Sequence, residues 1–126
     1  MAFPNQSEPQ KVFSSIWELE AQVNNGGFGQ YLRNADSDII THAPVALEAV
    51  GALACRAIVQ QALGILPPLP LPPAGDQRDA ALAALGEAQL AELERLDQAF
   101  FAYPDDLTEL LFKFAVERPE TFGQLP

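Results

Sequence analysis

Two carboxylates, Glu20 and Asp97, are the side chains of this sequence best suited by type and position to chemistry. Helical residues advance by about 100° each, and on that spacing both acids, as well as Asn24, fall in the apolar sector of an amphipathic helix. A carboxylate in such a sector needs a hydrogen-bond partner or a shifted pKa, because an unpaired buried charge costs several kcal/mol. As a pair in a cleft, the two acids would support general acid–base chemistry.

A structural role competes with this interpretation. The acids would then accept hydrogen bonds that hold a glycine turn and the short helix after it. The candidate polar network consists of Glu20, Asn24, Asn25, Gln30, Tyr31, Asn34 and Asp97. We favour the structural role, because no nucleophile–base pair, phosphate loop or ligand cluster accompanies the two acids. The alternative, an enzyme or small-ligand binder, would use a pocket formed by Glu20, Asn24, Asn25, Gln30 and Asp97.

The sequence contains one histidine and one cysteine, and these counts exclude several kinds of catalytic and metal site. His42 is the only histidine, which excludes a catalytic triad and a two-histidine metal motif. Cys55 is the only cysteine, which excludes an intrachain disulfide and a multi-cysteine zinc site. We expect His42 in an exposed first helical turn and Cys55 in the core. We predict no catalytic residue, no metal site and no cofactor.

The apolar residues follow helical rather than strand periodicity. The residues spaced by three and four along one predicted helix face are Val12, Phe13, Ile16, Trp17, Leu19 and Val23. Ser7 with Gln10 is a capping pair at the start of this helix. The adjacent glycines at 26 and 27 should end this helix, because glycine favours left-handed backbone. We expect a short helix to restart near Phe28.

The rest of the chain also predicts helices. Thr41 is a candidate cap that would place Pro44 in a first turn, and Gly51 should separate that helix from the next. Residues 67–73 contain five prolines and predict an extended crossing, and Gly86 should break a later helix. The fold class is therefore all-α: one domain over residues 1–126, a compact bundle of about six or seven helices with a proline-rich crossing.

The composition excludes several classes of protein. Of 126 residues, 48% are apolar, and 17 acids against seven bases give a net charge of −10. This charge argues against direct binding to nucleic acid or to an anionic membrane, since both need a positive surface. No secretory signal or membrane span is evident, so we expect a cytoplasmic protein.

The acids concentrate towards the C-terminus. Residues 76–126 carry eleven acids and four bases, whereas residues 1–60 carry six and three. The candidate partner-binding acids are Glu87, Glu92, Glu94, Asp105, Asp106, Glu109, Glu117 and Glu120. In the alternative interpretation they form an ordinary solvated surface: Asp105 and Asp106 would cap the last helix, while Lys113 and Arg95 would pair with Glu109 and Glu94.

The segment from Trp17 to Asn34, WELEAQVNNGGFGQYLRN, resembles the E-x-x-x-N-N-G-G-F-x-Q-Y-F-x-N signature of the bacterial DNA-mimic-protein-like family. Residues 46–52 resemble its A-L-x-x-I-G-A helix end, and residues 96–101 resemble its L-D-x-x-F-Y segment. The sequence departs from the signature at Leu32 and Gly29. It implies an all-helical fold without known catalysis or cofactor, and an acidic protein that imitates duplex DNA on the DNA-binding face of a transcription factor.

The charge density sets a condition on such imitation. A monomer of this mass exposes on the order of 6,600 Å². Ten net charges then give about one per 660 Å², against about one per 110 Å² on duplex DNA. The acids must therefore gather on one face. We expect a non-enzymatic interaction domain, monomeric or weakly dimeric, whose partner is a basic protein such as a DNA-binding transcription regulator. A structural or dimerising module with exposed Phe101, Tyr103 or Phe112 is a further alternative.

Overall fold

The computed structural model of the chain describes residues 2–66 and 71–122. Within these residues it forms seven α-helices and no strand, preceded by a short 3₁₀ helix at Phe3–Asn5. The helices are α1 (Glu8–Asn34), α2 (Ser37–Ala49), α3 (Leu53–Leu63), α4 (Asp76–Ala83), α5 (Glu87–Phe101), α6 (Leu107–Val116) and α7 (Pro119–Phe122). The all-α prediction is confirmed.

Helix α1 begins and breaks where the sequence predicts. Ser7 Oγ accepts a hydrogen bond from the Gln10 amide, and Gln10 Oε1 accepts one from the Ser7 amide, which completes a capping box. Gly26 and Gly27 leave the helical conformation, and Gly27 has a φ of 75°, which favours glycine. The chain therefore turns at the two glycines and resumes a helix at Phe28.

The other helices pack around α1. Helices α2, α4, α5, α6 and α7 all contact it, and α3 packs against α2 and α5. Phe28, which follows the glycine break, is fully buried and meets the ring of Phe100 on α5 edge-on, with centroids 5.8 Å apart. The break thus places an aromatic ring of α1 at the centre of the core.

Helix α2 differs from its prediction. It starts at Ser37 and runs through Pro44, so Thr41 does not cap it. The buried face of α2, which includes Ile40 and Leu47, offsets the hydrogen bond that proline removes. His42 consequently lies inside the helix and is half-buried, rather than in an exposed first turn. Helix α2 does end before Gly51, which has a φ of 81°.

The proline-rich prediction is tested only in part, since residues 67–70 lie outside the described residues. Leu71 is buried, and Pro72 is bound by Arg78, a fully buried side chain of α4. The Arg78 guanidinium also donates to the carbonyls of Leu32 and Ala35 at the end of α1. Arg78 therefore connects the end of the proline-rich segment to the end of α1.

Candidate functional site

The glycine break in α1 is held by Asp97 of α5. Asp97 Oδ1 accepts a hydrogen bond of 2.7 Å from the Phe28 amide. A Cβ on Gly27 would lie 2.5 Å from Asp97 Oδ2, so the carboxylate reaches the backbone only because residue 27 is glycine. Burial raises the pKa of Asp97, and the bond from Phe28 partly offsets this effect. Asp97 acts as an N-cap supplied by a different helix.

A chain of side-chain hydrogen bonds lies across the same break. Asn25 Nδ2 donates to Gln30 Oε1, and Gln30 Nε2 donates to Gln22 Oε1 over 2.7 Å. Gln22 Nε2 in turn donates to Glu18. A Cβ on Gly26 would overlap the Gln30 side chain, which explains the second glycine. These bonds join the parts of α1 before and after the break.

Other residues of the candidate network lie elsewhere. Asn24 and Asn34 are exposed, so the expectation that Asn24 falls in the apolar sector is wrong. The buried stripe of α1 runs through Ile16 and Leu19, and Asn24 lies more than 90° away from its centre on the helix. Tyr31 is fully buried, and its hydroxyl has no hydrogen-bond partner among the described residues.

The two carboxylates proposed as an acid–base pair have different surroundings. Burial and then the nearby charge of Asp106 raise the pKa of half-buried Glu20. The acid that raises the pKa of Asp97 is instead Glu94, on its own helix. Glu20 therefore lies towards the start of α6, whereas Asp97 lies at the glycine break.

A second carboxylate caps a distant helix. Asp105 Oδ2 accepts a hydrogen bond of 2.8 Å from the amide of Cys55, in the first turn of α3. Cys55 is buried in the core as expected, and burial followed by the charge of Asp105 raises its pKa to about 12. The sequence indicated that Asp105 would cap the last helix. In the structure this helix is α6, and Asp106 alone caps it by accepting a hydrogen bond from the Glu109 amide.

The candidate partner-binding acids divide into two groups. Glu92 pairs with Arg95, and Asp105 and Asp106 cap helices. The other five are exposed, and their side chains form neither a hydrogen bond nor an ion pair with any described residue: Glu87, Glu94, Glu109, Glu117 and Glu120. The expected pairs of Glu94 with Arg95 and of Glu109 with Lys113 are not formed within the described part of the chain.

The following four of the seven basic side chains form no ion pair with the acids of α5 to α7 within the described residues. Arg78 donates to backbone carbonyls in the interior. Arg33 and Arg56 lie within 4 Å of Asp79 on α4 and Glu48 on α2. Arg118 stacks over the ring of Phe114, 3.7 Å from its centroid. The acids of α5 to α7 that make no such contact thus keep their charge towards solvent.

The described cavities do not surround the candidate network. Three of them, with volumes of about 320, 510 and 450 Å³, contain none of Glu20, Asn24, Asn25, Gln30 and Asp97 in their linings. Among the described residues, no group of three or more histidine, cysteine or acidic side chains could hold a metal ion. In the same part of the chain, no helix is long and apolar enough to cross a membrane.

Comparison with known families gives one match. A family model described as DMP19-like protein covers residues 5–118. No curated protein and no solved structure matches the chain. The matched range contains the glycine break with Asp97, the Asp105 cap and the helices that carry most of the exposed acids. Since the match covers most of the chain, the protein belongs to the DMP19-like family, named for DNA mimic protein 19.

Proposed function

We propose that this protein is a non-enzymatic acidic domain that occupies the basic face of a DNA-binding regulator in place of DNA. Family membership supports a DNA-mimic role. The observation that carries the proposal is a set of five exposed acids on and beside α5 and α6 that have no ion pair within the described residues: Glu87, Glu94, Glu109, Glu117 and Glu120. Carboxylates that form no ion pair within the protein are available to a partner.

The charge distribution supports a preferred region of contact. The accessible surface is 6965 Å², so ten net charges give about one per 700 Å² if spread evenly. This density is about sixfold below that of duplex DNA. Residues 76–126 account for −7 of the total, from eleven acids and four bases. One of those bases, Arg78, is buried, and one of the acids, Asp97, is half-buried at the glycine break, so the excess of acids at the surface remains close to the sequence balance.

The mechanism is competition for the same basic side chains. Carboxylates on the protein take the positions of phosphates, and the partner cannot bind both acids and DNA. Because the attraction is between exposed charges, added salt screens it over about 8 Å at physiological ionic strength. The complex should therefore weaken steeply as salt increases.

Displacement of proteins from immobilised DNA tests this proposal. Basic proteins from a native lysate are bound to DNA-cellulose at low salt, and the purified protein is added as the eluent. We expect selective elution of a DNA-binding protein, and loss of elution in a triple variant that removes three acids of α5 and α6. The substitutions are Glu87→Gln, Glu94→Gln and Glu109→Gln.

A matched variant separates position from total charge. Asp36→Asn, Asp76→Asn and Asp79→Asn remove the same charge from exposed acids outside α5 and α6. This control should elute the bound protein as the wild type does. Equal loss in both variants would mean that only net charge matters, and absence of any eluted protein at low salt would contradict the proposal as a whole.

A further inference from the structure

A groove between α1 and α2 carries an exposed aromatic side chain, Trp17, beside Phe13 at the edge of the core. Phe13, Ser14, Trp17, Glu18 and Ile39 line it, and its volume is about 450 Å³. We call this the α1–α2 groove. The Trp17 side chain is 63% exposed, and its ring stacks on Phe13 with centroids 6.0 Å apart and an interplanar angle of 14°.

The exposure of Trp17 follows from its position on the helix. The sequence placed Trp17 on the apolar face, and this is wrong: the buried stripe of α1 includes Ile16 and Leu19, and Trp17 lies more than 90° from its centre on the helix. Tryptophan is normally among the more buried residues, and exposed aromatic side chains with a polar rim mark interaction surfaces. Tryptophan is also enriched among the residues that contribute most of the energy of an interface.

The chemistry of the lining selects a cation. None of the five lining residues is basic, and the Glu18 carboxylate is oriented by a hydrogen bond of 2.9 Å from Gln22 Nε2. Glu18 is the acid of this lining, and it is partly exposed. An indole face attracts a cation, and a guanidinium can stack on a ring while it donates to a carboxylate. Lysine presents a compact charge that stacks less well.

We propose that the α1–α2 groove accepts an arginine side chain of a protein partner, which stacks on Trp17 and pairs with Glu18. This inference rests on the proposed function, because it takes the partner to be a basic protein. It adds a contact outside the acids of α5 and α6. Stacking on an apolar ring is less sensitive to salt than contact between exposed charges, so part of the affinity should survive at high salt.

Two peptides of equal charge provide the test. Hexa-arginine and hexa-lysine are titrated into the full chain, and affinity is measured by calorimetry at 150 mM salt. Trp17 is the only tryptophan, so its fluorescence reports directly on the groove. We expect hexa-arginine to change the Trp17 emission and to bind about fivefold more tightly than hexa-lysine.

Variants locate the preference. Trp17→Leu should abolish the preference for arginine, and Glu18→Gln should reduce it, with folding checked by circular dichroism. Phe112→Leu is the matched control, because Phe112 is an aromatic residue of similar exposure on α6. The control should keep the full preference. A preference lost equally in Phe112→Leu and Trp17→Leu would overturn the assignment to the groove.

The outcomes also separate this inference from the proposed function. Equal affinity for both peptides with unchanged Trp17 emission would overturn the arginine site, while displacement from DNA-cellulose could still succeed. A retained preference for arginine together with failed displacement would support the groove and contradict the DNA-mimic role. Absence of binding by either peptide at 150 mM salt would overturn the arginine site, because the stacking contact should persist there.

Discussion

Replacing Asp97 tests whether a carboxylate of α5 stabilises the glycine break of α1. Asp97→Ala removes the acceptor of the Phe28 amide. The ψ of Gly27 is −176°, which turns the Phe28 amide away from the helical direction, so another acceptor within α1 is not in line with it. Asp97→Asn keeps an oxygen at the same position and removes only the charge. The two variants therefore differ in whether this amide is satisfied.

The expected magnitude comes from one charge-assisted hydrogen bond. Such bonds contribute about 1.5–3 kcal/mol, and an unsatisfied buried amide costs about 1–3 kcal/mol. These figures describe the same contact, so Asp97→Ala should lower the free energy of unfolding by about 2 kcal/mol. Asp97→Asn should change it by less than about 1 kcal/mol, since the carboxamide oxygen still accepts the bond.

Urea unfolding followed by circular dichroism measures this difference. With an m value of about 2 kcal/mol/M, a loss of about 2 kcal/mol lowers the midpoint by about 1 M. Glu94→Ala is the control, because Glu94 is an exposed acid on the same helix, and it should stay within about 0.5 kcal/mol of the wild type. Equal midpoints for Asp97→Ala and Asp97→Asn would refute the reasoning.

The pH dependence of the same variants gives an independent measurement. The pKa of Asp97 in the folded chain is raised by burial above its ordinary value of 3.8. Its contribution to stability is therefore complete below about pH 4 and is lost as the pH rises through the folded pKa. Asp97→Asn should gain stability relative to the wild type between about pH 4 and pH 7. A constant difference across this range would contradict the direction of the pKa change.

Three further changes test interior contacts. Tyr31→Phe should leave the free energy of unfolding unchanged or raise it, because the buried hydroxyl has no hydrogen-bond partner among the described residues. A decrease of more than about 1 kcal/mol would mean that the hydroxyl does have a partner. Arg78→Met should lower the free energy of unfolding by about 3 kcal/mol, measured in urea, since it leaves carbonyls at the end of α1 and at Pro72 unpaired, whereas exposed Arg33→Met should change little. Cys55 should resist a thiol reagent at pH 8 until urea unfolds the chain, because burial raises its pKa to about 12; rapid labelling of the native protein would contradict its burial.

Local signals in the sequence predicted much of the helical fold. The Ser7 capping box and the breaks at Gly27 and Gly51 depend on residues within a few positions of each other, so they can be found without the tertiary structure. Pro44 shows the limit of such rules. Its missing amide predicts a helix start, yet packing of the α2 face against α1 keeps the helix continuous.

The polar contacts that matter most connect distant parts of the chain. Asp97 and Phe28 are 69 positions apart, and Asp105 and Cys55 are 50 apart. Helical periodicity marked Asp97 as a carboxylate in need of a partner, but it could not identify the Phe28 amide. Nothing in the sequence near Arg78 indicates that its guanidinium binds carbonyls at the end of α1.

The sequence by itself determined the helices, their breaks and an excess of acids, because backbone preference and charge are properties of local residue type. Only the tertiary structure decided which charges remain available. It buries Arg78, uses Asp97 and Asp105 as caps for distant helices, and leaves Trp17 exposed in a groove. The physical reason is that a side chain is exposed, paired or buried according to the elements packed around it, and that packing joins residues far apart in the chain.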